Sequence, residues 1–499
     1  MNLLLLLEMA ASGGADVAVQ TDHDQLSADE LLGAAWGGAE LTGDAAALAY
    51  VGTNGLAFPI GLFAAAAAGV PFVPLNYRLS VEQLHDLLVP LGDVLVVAEG
   101  KALDGLGELG HRVLDAEDFV ARSRASDAEP GVAPDEGDGV AVLLHTSGTT
   151  AAPKAAVLRH RNLTSYVIGT VEFAGAGPDD AALVTVPPYH VAGLANLLSN
   201  LYAGRRIVYL RQFDAEEWVA TVGREAITQA MVVPTMLSRI CDVLEAGGAS
   251  GSGEAGLPSL RSISYGGART PATVLMRTMS LLPDVDFTNA YGLTETSSTI
   301  AVLGPDDHRA ARGGDAAAEL RLSSAGRVLP TVEIEVRDDH GSRLGADEIG
   351  EIYVRGEQVS GEYRGLGSST DDEGWFPTKD RGWLDADGYL FIEGRSDDTI
   401  IRGGENVAPA EIEEVLLQHP DIVECAVVGI PDDEWGQCIA AAVVVRAGAT
   451  LDVEVVRSFA RESLRGSKTP DVVTFREALP YTETGKLLRR VVQADLASS

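Results

Sequence analysis

GVAVLLHTSGTTAAPK, residues 139–154, joins two patterns without a break. Residues 140–144 are a short continuous apolar run, which reads as a strand buried on both faces. The run feeds directly into Thr146, Ser147, Gly148, Thr149 and Thr150, with Lys154 close behind. That turn concentrates hydroxyls and backbone N–H groups, which donate to a polyphosphate while lysine supplies charge. It is not a Walker-type loop, because Pro153 precedes the lysine and Ala155 follows it. Taken alone, the same residues could equally make an ordinary Ser/Thr-rich turn.

Working outward, further buried strands are expected at 70–75, 94–97, 183–186, 207–210 and 231–233, with helices at 61–69 and 80–88. Strands alternating with helices imply parallel sheets covered on both faces, a doubly wound α/β body. Pro, Gly and Ser cluster at 122–139, 246–256 and 304–315, which read as exposed loops. From about residue 350 the pattern changes to alternating strands, as in GEIYVRG and GYLFIEGR. Residues 398–499 carry their own helix, PAEIEEVLLQH, and strands, ECAVVGI and AAAVVVRA, so they read as a separate small α+β domain.

With 499 residues, 46% of them hydrophobic, the chain can build a large core and more than one domain. A net charge of −36 argues against sequence-independent nucleic-acid binding and against an anionic membrane surface. Cys241, Cys425 and Cys438 follow no metal-ligand spacing and read as reduced, structural residues. The N-terminal MNLLLLLEMAASGG lacks a cationic start and is interrupted by Glu8, unlike a signal peptide. No later run reaches membrane-spanning length, and a cytoplasmic enzyme is the expectation.

Four more stretches bear on the loop. YGLTE (291–295) offers an aromatic face, a hydroxyl and a carboxylate. WFPTKDRGWLDADGYLFIEGR (375–395) contains Asp380 and Arg395, and DDTIIRGGENVAPAEIE (397–413) sets two glycines before a helix. PYTETGKLLRR (480–490) leaves Lys486 on a polar turn. Each alone has a plain explanation in capping, ion pairing or a solvated tail. Together and in this order, they make the chain resemble the adenylate-forming enzymes: acyl- and aryl-CoA ligases, luciferases and the adenylation domains of peptide synthetases.

The resemblance runs from about Ala45 to Arg490. It implies an N-terminal domain, 1–396, with packed α/β layers and a barrel-like subdomain, and a mobile C-terminal domain, 397–499, turning about Asp397. It also implies two steps at one site. A carboxylate first attacks ATP, giving an acyl-adenylate and pyrophosphate; a thiol, usually coenzyme A, then displaces AMP.

Carried over position by position, Thr146 to Thr150 and Lys154 match the loop over the β- and γ-phosphates. Gly267 and Ala268 match the adenine strip and Tyr291 the ring stacked on adenine. Thr294 matches the α-phosphate contact, and Glu295 the carboxylate that helps hold Mg²⁺. Asp380 matches the acid on the ribose hydroxyls, with Arg395 nearby, and Lys486 the lysine bridging carboxylate and α-phosphate. His190, in PPYHVAG, matches the gate beside the reacting carboxylate. For the thiol step, Gly403 and Gly404 match the wall of the pantetheine tunnel, with Trp435 beside it. Lys468, Arg465 and Arg78 are candidates for the CoA phosphates. Tyr189, His190, Ala192, Tyr265, Asn289 and Ala290 are expected to line the acyl pocket. That mostly apolar set suits an aryl, cyclic or medium-chain acid. The absence of an acidic residue in YHVAG argues against an α-amino acid.

The chain departs from the family pattern TSGTTGxPKG at Ala151 and Ala155, and elsewhere at Lys379 and Arg159. If both alanines stood where a left-handed backbone is needed, each would cost roughly 1–2 kcal/mol, weakening adenylation. That leaves four expectations open: a ligase running both steps, a partial ligase fed by a separate adenylating enzyme, a non-catalytic protein that binds acyl-adenylate or CoA, and, ranked low for want of the insertion expected near the hinge, a fatty acyl-AMP ligase that hands its product to a carrier protein.

Overall fold

The computed structural model describes residues 1–14, 17–134, 137–146, 154–247, 257–403, 405–432, 435–482 and 486–497. Apolar strands alternate with helices and collapse into two large sheets with helices packed against them. In the first sheet the strands Phe72–Pro74, Ala47–Val51, Val94–Ala98 and Arg112–Asp115 run parallel. Phe72–Pro74 is followed across the sheet by Val140–Thr146, to which it is also parallel. The next strand, Lys154–Arg159, returns antiparallel, so the Ser/Thr-rich stretch connects two arms of a hairpin.

The second sheet holds Arg206–Tyr209, Ala181–Val184, Gln229–Val232, Ser262–Gly266 and Asp286–Leu293 as a parallel block. From Ser298–Leu303 onward its strands are antiparallel. The part expected to be barrel-like is hydrogen-bonded to this sheet as its continuation and covers a core of Ile300, Val336, Ile352, Val354, Phe376 and Leu390.

Helix Ala57–Ala68 is buried along its whole length, because Ala, Phe and Leu leave it no polar face to keep in water. Helix Leu4–Ser12, made by the N-terminal leucines, joins the same core, with Leu3, Leu4, Leu6 and Leu7 fully buried. In the small domain, strands Ile422–Asp432 and Gly436–Val445 alternate from Cys425 and Cys438 onward between two cores. Val427, Ala441 and Val443 pack with Ile412 and Val456, whereas Ala426, Val428 and Ala440 pack with Val492 and Leu496.

One loop expectation fails. Within 304–315 lies the helix Pro305–Arg312, with Pro at its first position, Asp306 and Asp307 in the first turn and Arg309 and Arg312 in the last. Pro and Gly here start and end a helix whose charges oppose its dipole. The 122–139 stretch is helical as far as Ala125. Of 246–256, residues 248–256 lie outside the described residues. Cys241, Cys425 and Cys438 are buried and free. Among the described residues no helix is long and apolar enough to cross a membrane.

Candidate active site

The site forms where the hairpin edge of the first sheet, the turn after Asp286–Leu293 and the Phe376–Leu384 strand converge with the small domain. Asp380 and Arg395 stand directly opposite each other on antiparallel strands. Arg395 Nη1 lies 3.4 Å from Asp380 Oδ1, and the Tyr291 hydroxyl donates to Asp380 Oδ2 at 2.5 Å. Burial raises the Asp380 carboxyl above its usual range, opposed by Arg395 and the Tyr291 bond. Burial and then the Asp380 charge push the Tyr291 phenol well up.

Local backbone aims this carboxylate. The register between Gly350–Arg355 and Phe376–Leu384 shifts at a bulge, and Lys379 there adopts a left-handed φ of 62°. Thr378 Oγ1 donates to the Ile352 carbonyl at 2.8 Å and accepts from the Asp380 N–H at 3.1 Å. A bulge bends its strand and turns the next side chain. Lys379 accordingly points to solvent while Asp380 is buried.

Glu295 sits in the single 3-10 turn Thr294–Thr296, only 8% exposed. Its carboxylate accepts from the Tyr363 hydroxyl at 2.6 Å, and its carbonyl accepts from Ser360 N–H at 2.8 Å. The same Tyr363 ring lies 5.5 Å from Lys154 Nζ. Tyr363 was missed in the sequence: its strand, Glu362–Tyr363, is two residues long and carries no periodic signal. Arg159 clasps the neighbouring Glu362 with two parallel bonds, Nε to Oε2 at 2.9 Å and Nη2 to Oε1 at 3.0 Å. That departure from the family pattern therefore ties strand Lys154–Arg159 to the strand that carries Tyr363.

Thr146 Oγ1 donates to the Lys154 carbonyl at 3.3 Å, closing the hairpin base. Ser147, Gly148, Thr149, Thr150 and Ala151 lie outside the described residues. Ala155 is described, and it corrects an expectation. It sits in a regular strand opposite His145, outside the positive-φ residues, and its methyl packs against the cluster of Leu75, Leu143 and Val157. No left-handed penalty applies there.

His190 caps helix Val191–Ala203, its ring 4.8 Å from that of Tyr189, which meets Tyr77 edge-on at 5.8 Å. Burial, with a further contribution from the Lys486 charge, lowers the His190 pKa to about 4, so the ring is neutral near pH 7. The Lys486 charge also acts on Asp380. The Lys486 charge of the small domain is thus felt at both His190 and Asp380. Paired bonds tie Thr482 to Lys486, Thr482 N–H to the Lys486 carbonyl at 2.7 Å and Lys486 N–H to Thr482 Oγ1 at 3.0 Å.

Gly267, with φ 82°, and Ala268 follow strand Ser262–Gly266, and the next residue, Arg269, bonds Glu414 of helix Pro409–Leu416 at 2.7 Å. Gly403, at φ 57°, donates its N–H to the Trp435 carbonyl at 2.8 Å, and a Cβ there would stand 2.8 Å from the indole. Gly404 lies outside the described residues, and Asp397 is exposed in the turn Ser396–Asp398. Lys468 pairs with Glu411 at 2.6 Å, whereas Arg465 and Arg78 are exposed.

Of the expected acyl-pocket residues, Tyr189 and Ala192 flank His190. Tyr265 does not fit as a lining residue. It is 1% exposed, lies in the core with Ile263 and Val232, and its hydroxyl is 2.8 Å from His308 Nε2. Asn289, beside Tyr265 in the parallel pairing, donates to the Ser324 carbonyl at 3.2 Å, and Ala290 takes the next register position.

Comparison with known proteins gives the family. The AMP-binding enzyme family matches residues 42–364, and the AMP-binding enzyme C-terminal domain matches residues 411–486. The chain belongs to the AMP-binding enzymes. Feruloyl-CoA synthase of Amycolatopsis sp is 33% identical over 451 residues, covering 89% of this chain and 88% of the relative. Fatty acid–[acyl-carrier-protein] ligase ScoC of Streptomyces coeruleorubidus is 33% identical over 459 residues, covering 89% and 85%. The ATP-bound MatB structure from Rhodopseudomonas palustris superposes with a TM-score of 0.89 at 27% identity, over 100% of this chain and 99% of that one.

Proposed function

We propose that the chain is an AMP-forming acid–thiol ligase that joins an apolar carboxylic acid to coenzyme A through an acyl-adenylate. The observation that carries this reading is the reach of the Lys486 charge to both His190 and Asp380. A cation whose field reaches both an acyl gate and a ribose-binding acid can stabilise charge developing on the attacked α-phosphate, a large electrostatic contribution in such reactions. A carboxylate oxygen attacks the α-phosphorus there, and the bond to pyrophosphate breaks. In the second step the thiol sulfur attacks the acyl carbon, loses its proton and expels AMP.

Tyr291 offers a ring face to adenine beside Gly267 and Ala268, and Asp380 accepts from the ribose hydroxyls with Arg395 as counter-charge. Thr146 and Lys154, with the hydroxyls and N–H groups of 147–150, hold the β- and γ-phosphates, and Thr294 the α-phosphate. Glu295 is a buried carboxylate, and no group of three or more His, Cys, Asp or Glu side chains able to hold a metal occurs among the described residues. One carboxylate sharing a cation with substrate phosphates fits Mg²⁺, which when bound supplies neutralising charge to the leaving pyrophosphate. For the thiol step, rotation about Asp397 exchanges Lys486 for Gly403 and Gly404, with Trp435 walling the pantetheine path. This assigns 1–396 and 397–499 as the two moving parts.

The partial-ligase reading loses half its support, since Ala155 carries no backbone penalty. It now stands on Ala151 alone. The test is pyrophosphate release from Mg-ATP with a panel of apolar acids, followed by thioester formation on adding CoA. Release followed by thioester supports the two-step ligase. Thioester formed only from supplied acyl-adenylate points to a partial enzyme needing a separate adenylating partner. Binding of AMP or CoA with neither reaction overturns both.

A further inference from the structure

Helix Val191–Ala203 carries Ala192, Asn196 and Asn200 at four-residue spacing, and so on one face. Ala192 belongs to the acyl pocket of the ligase reading, on which this inference rests. The two amides continue along that face away from His190, with Asn196 about 9 Å beyond it by helical rise.

These amides form a chain whose polarity is set at one end. Arg205 Nη1 donates to Asn200 Oδ1 at 3.3 Å. A guanidinium has only donors, so Asn200 must turn its oxygen to Arg205 and its NH₂ the other way. That NH₂ donates to Asn196 Oδ1 at 3.1 Å and to the Asn196 carbonyl at 2.8 Å. Asn196 is fixed in turn, with its own NH₂ at the free end. The partners of that NH₂ are poor: the Ala192 carbonyl at 3.3 Å and the thioether sulfur of Met231, on the facing strand, at 2.7 Å. Sulfur of this kind is a weak acceptor. Asn196 and Met231 are both only partly buried. A row of amides aligned behind a cation therefore ends in an N–H that a better acceptor could take.

We propose that Asn196 presents this N–H to the far end of the acyl group, so that the acid activated has an apolar body and a neutral oxygen acceptor distal to its carboxylate. A hydroxyl, ether or ketone oxygen fits better than a second carboxylate. The cation at the head of the row stands two side chains away, and a buried anion out of contact with a cation is costly. Asn200 and Arg205 act as positioning residues through Asn196.

The test compares kcat/KM for cinnamic and benzoic acids carrying 4-hydroxy, 4-methoxy, 4-methyl or 4-carboxy groups. The wild type is expected to favour the hydroxy or methoxy acid over the methyl acid by roughly ten-fold or more in one series, the scale of one well-made hydrogen bond. Asn196→Leu is expected to bring that ratio near one while keeping turnover of the methyl acid, and Arg205→Met to reduce it in part. Indifference to the oxygen in both series, an undiminished ratio in Asn196→Leu, or a first preference for the 4-carboxy acid would each overturn the proposal. If no acid releases pyrophosphate, the ligase reading fails by itself. Calorimetric binding of the methoxy and methyl acids to wild type and Asn196→Leu then decides the donor question by the same ratio.

Discussion

The Tyr363 hydroxyl donates to Glu295 at 2.6 Å, and the face of the same ring lies 5.5 Å from the Lys154 ammonium. One side chain from a two-residue strand thereby spaces the carboxylate assigned to Mg²⁺ from the lysine assigned to the terminal phosphates. A hydrogen bond to a charged group contributes about 1.5–3 kcal/mol. Tyr363→Phe keeps the ring and removes the bond. It is expected to lower the adenylation rate roughly ten-fold or more and to raise the Mg²⁺ concentration for half-maximal rate. Thioester formation from supplied acyl-adenylate needs no pyrophosphate grip and should change little. An equal loss in both half-reactions would mean that the ring only supports the fold.

Lys379 occupies a left-handed conformation, φ 62°, while its side chain is exposed. The bulge needs that backbone to turn Asp380 inward, and a lysine there bears a steric cost of roughly 1 kcal/mol that glycine does not. Lys379→Gly should therefore leave nucleotide binding intact and raise the unfolding midpoint of the large domain by about 2 °C. A lower midpoint would show that contacts of the lysine stem outweigh the backbone strain.

Three histidines, His145, His160 and His190, have their pKa lowered to about 4, chiefly by burial. Unfolded, each takes up a proton near pH 6.5; folded, each does so only near pH 4. Between those limits the unfolded state binds more protons, so stability falls as pH drops through this window, by up to about 1.4 kcal/mol per pH unit for each ring. Denaturation midpoints measured from pH 7 to pH 4 should fall steeply, and His190→Gln should lessen the slope. An unchanged slope in that variant would place His190 in water rather than in the protein.

The parts of the fold legible in the sequence were those where one physical rule acts alone. The fully buried strand Val94–Ala98 is a plain β-branched and aliphatic run, and the capping box around Ser80 marks the start of helix Val81–Leu88. Residues 291, 380, 395 and 486 were singled out through ordered motifs rather than periodicity, and the structure sets Tyr291 and Arg395 against Asp380. Misreadings arose where one residue type serves two ends. Gly304, Pro305 and Gly313 punctuate a helix rather than a loop. Tyr265 faces the core with Ile263 because strand parity decides its side, a parity the alternation Ser262, Ile263, Ser264, Tyr265 already displays. Tyr363 meets Glu295 from 68 residues away, which no local pattern records.

Ala155 yields the last prediction. A family glycine position suggests a special backbone, but here the residue pairs with His145 in an ordinary strand, and Arg364 N–H donates to its carbonyl at 2.9 Å. Restoring glycine would remove a packed methyl and add unfolded-state freedom, at a cost of about 0.5–1 kcal/mol. Ala155→Gly should thus be slightly less stable and no faster in pyrophosphate release. Ala151→Gly, measured beside it, isolates the other departure. If adenylation rises only in Ala151→Gly, position 151 is where rate was lost; if neither variant gains, both methyls are tolerated. A gain from Ala155→Gly alone would contradict the strand geometry and reopen the case for a strained phosphate loop.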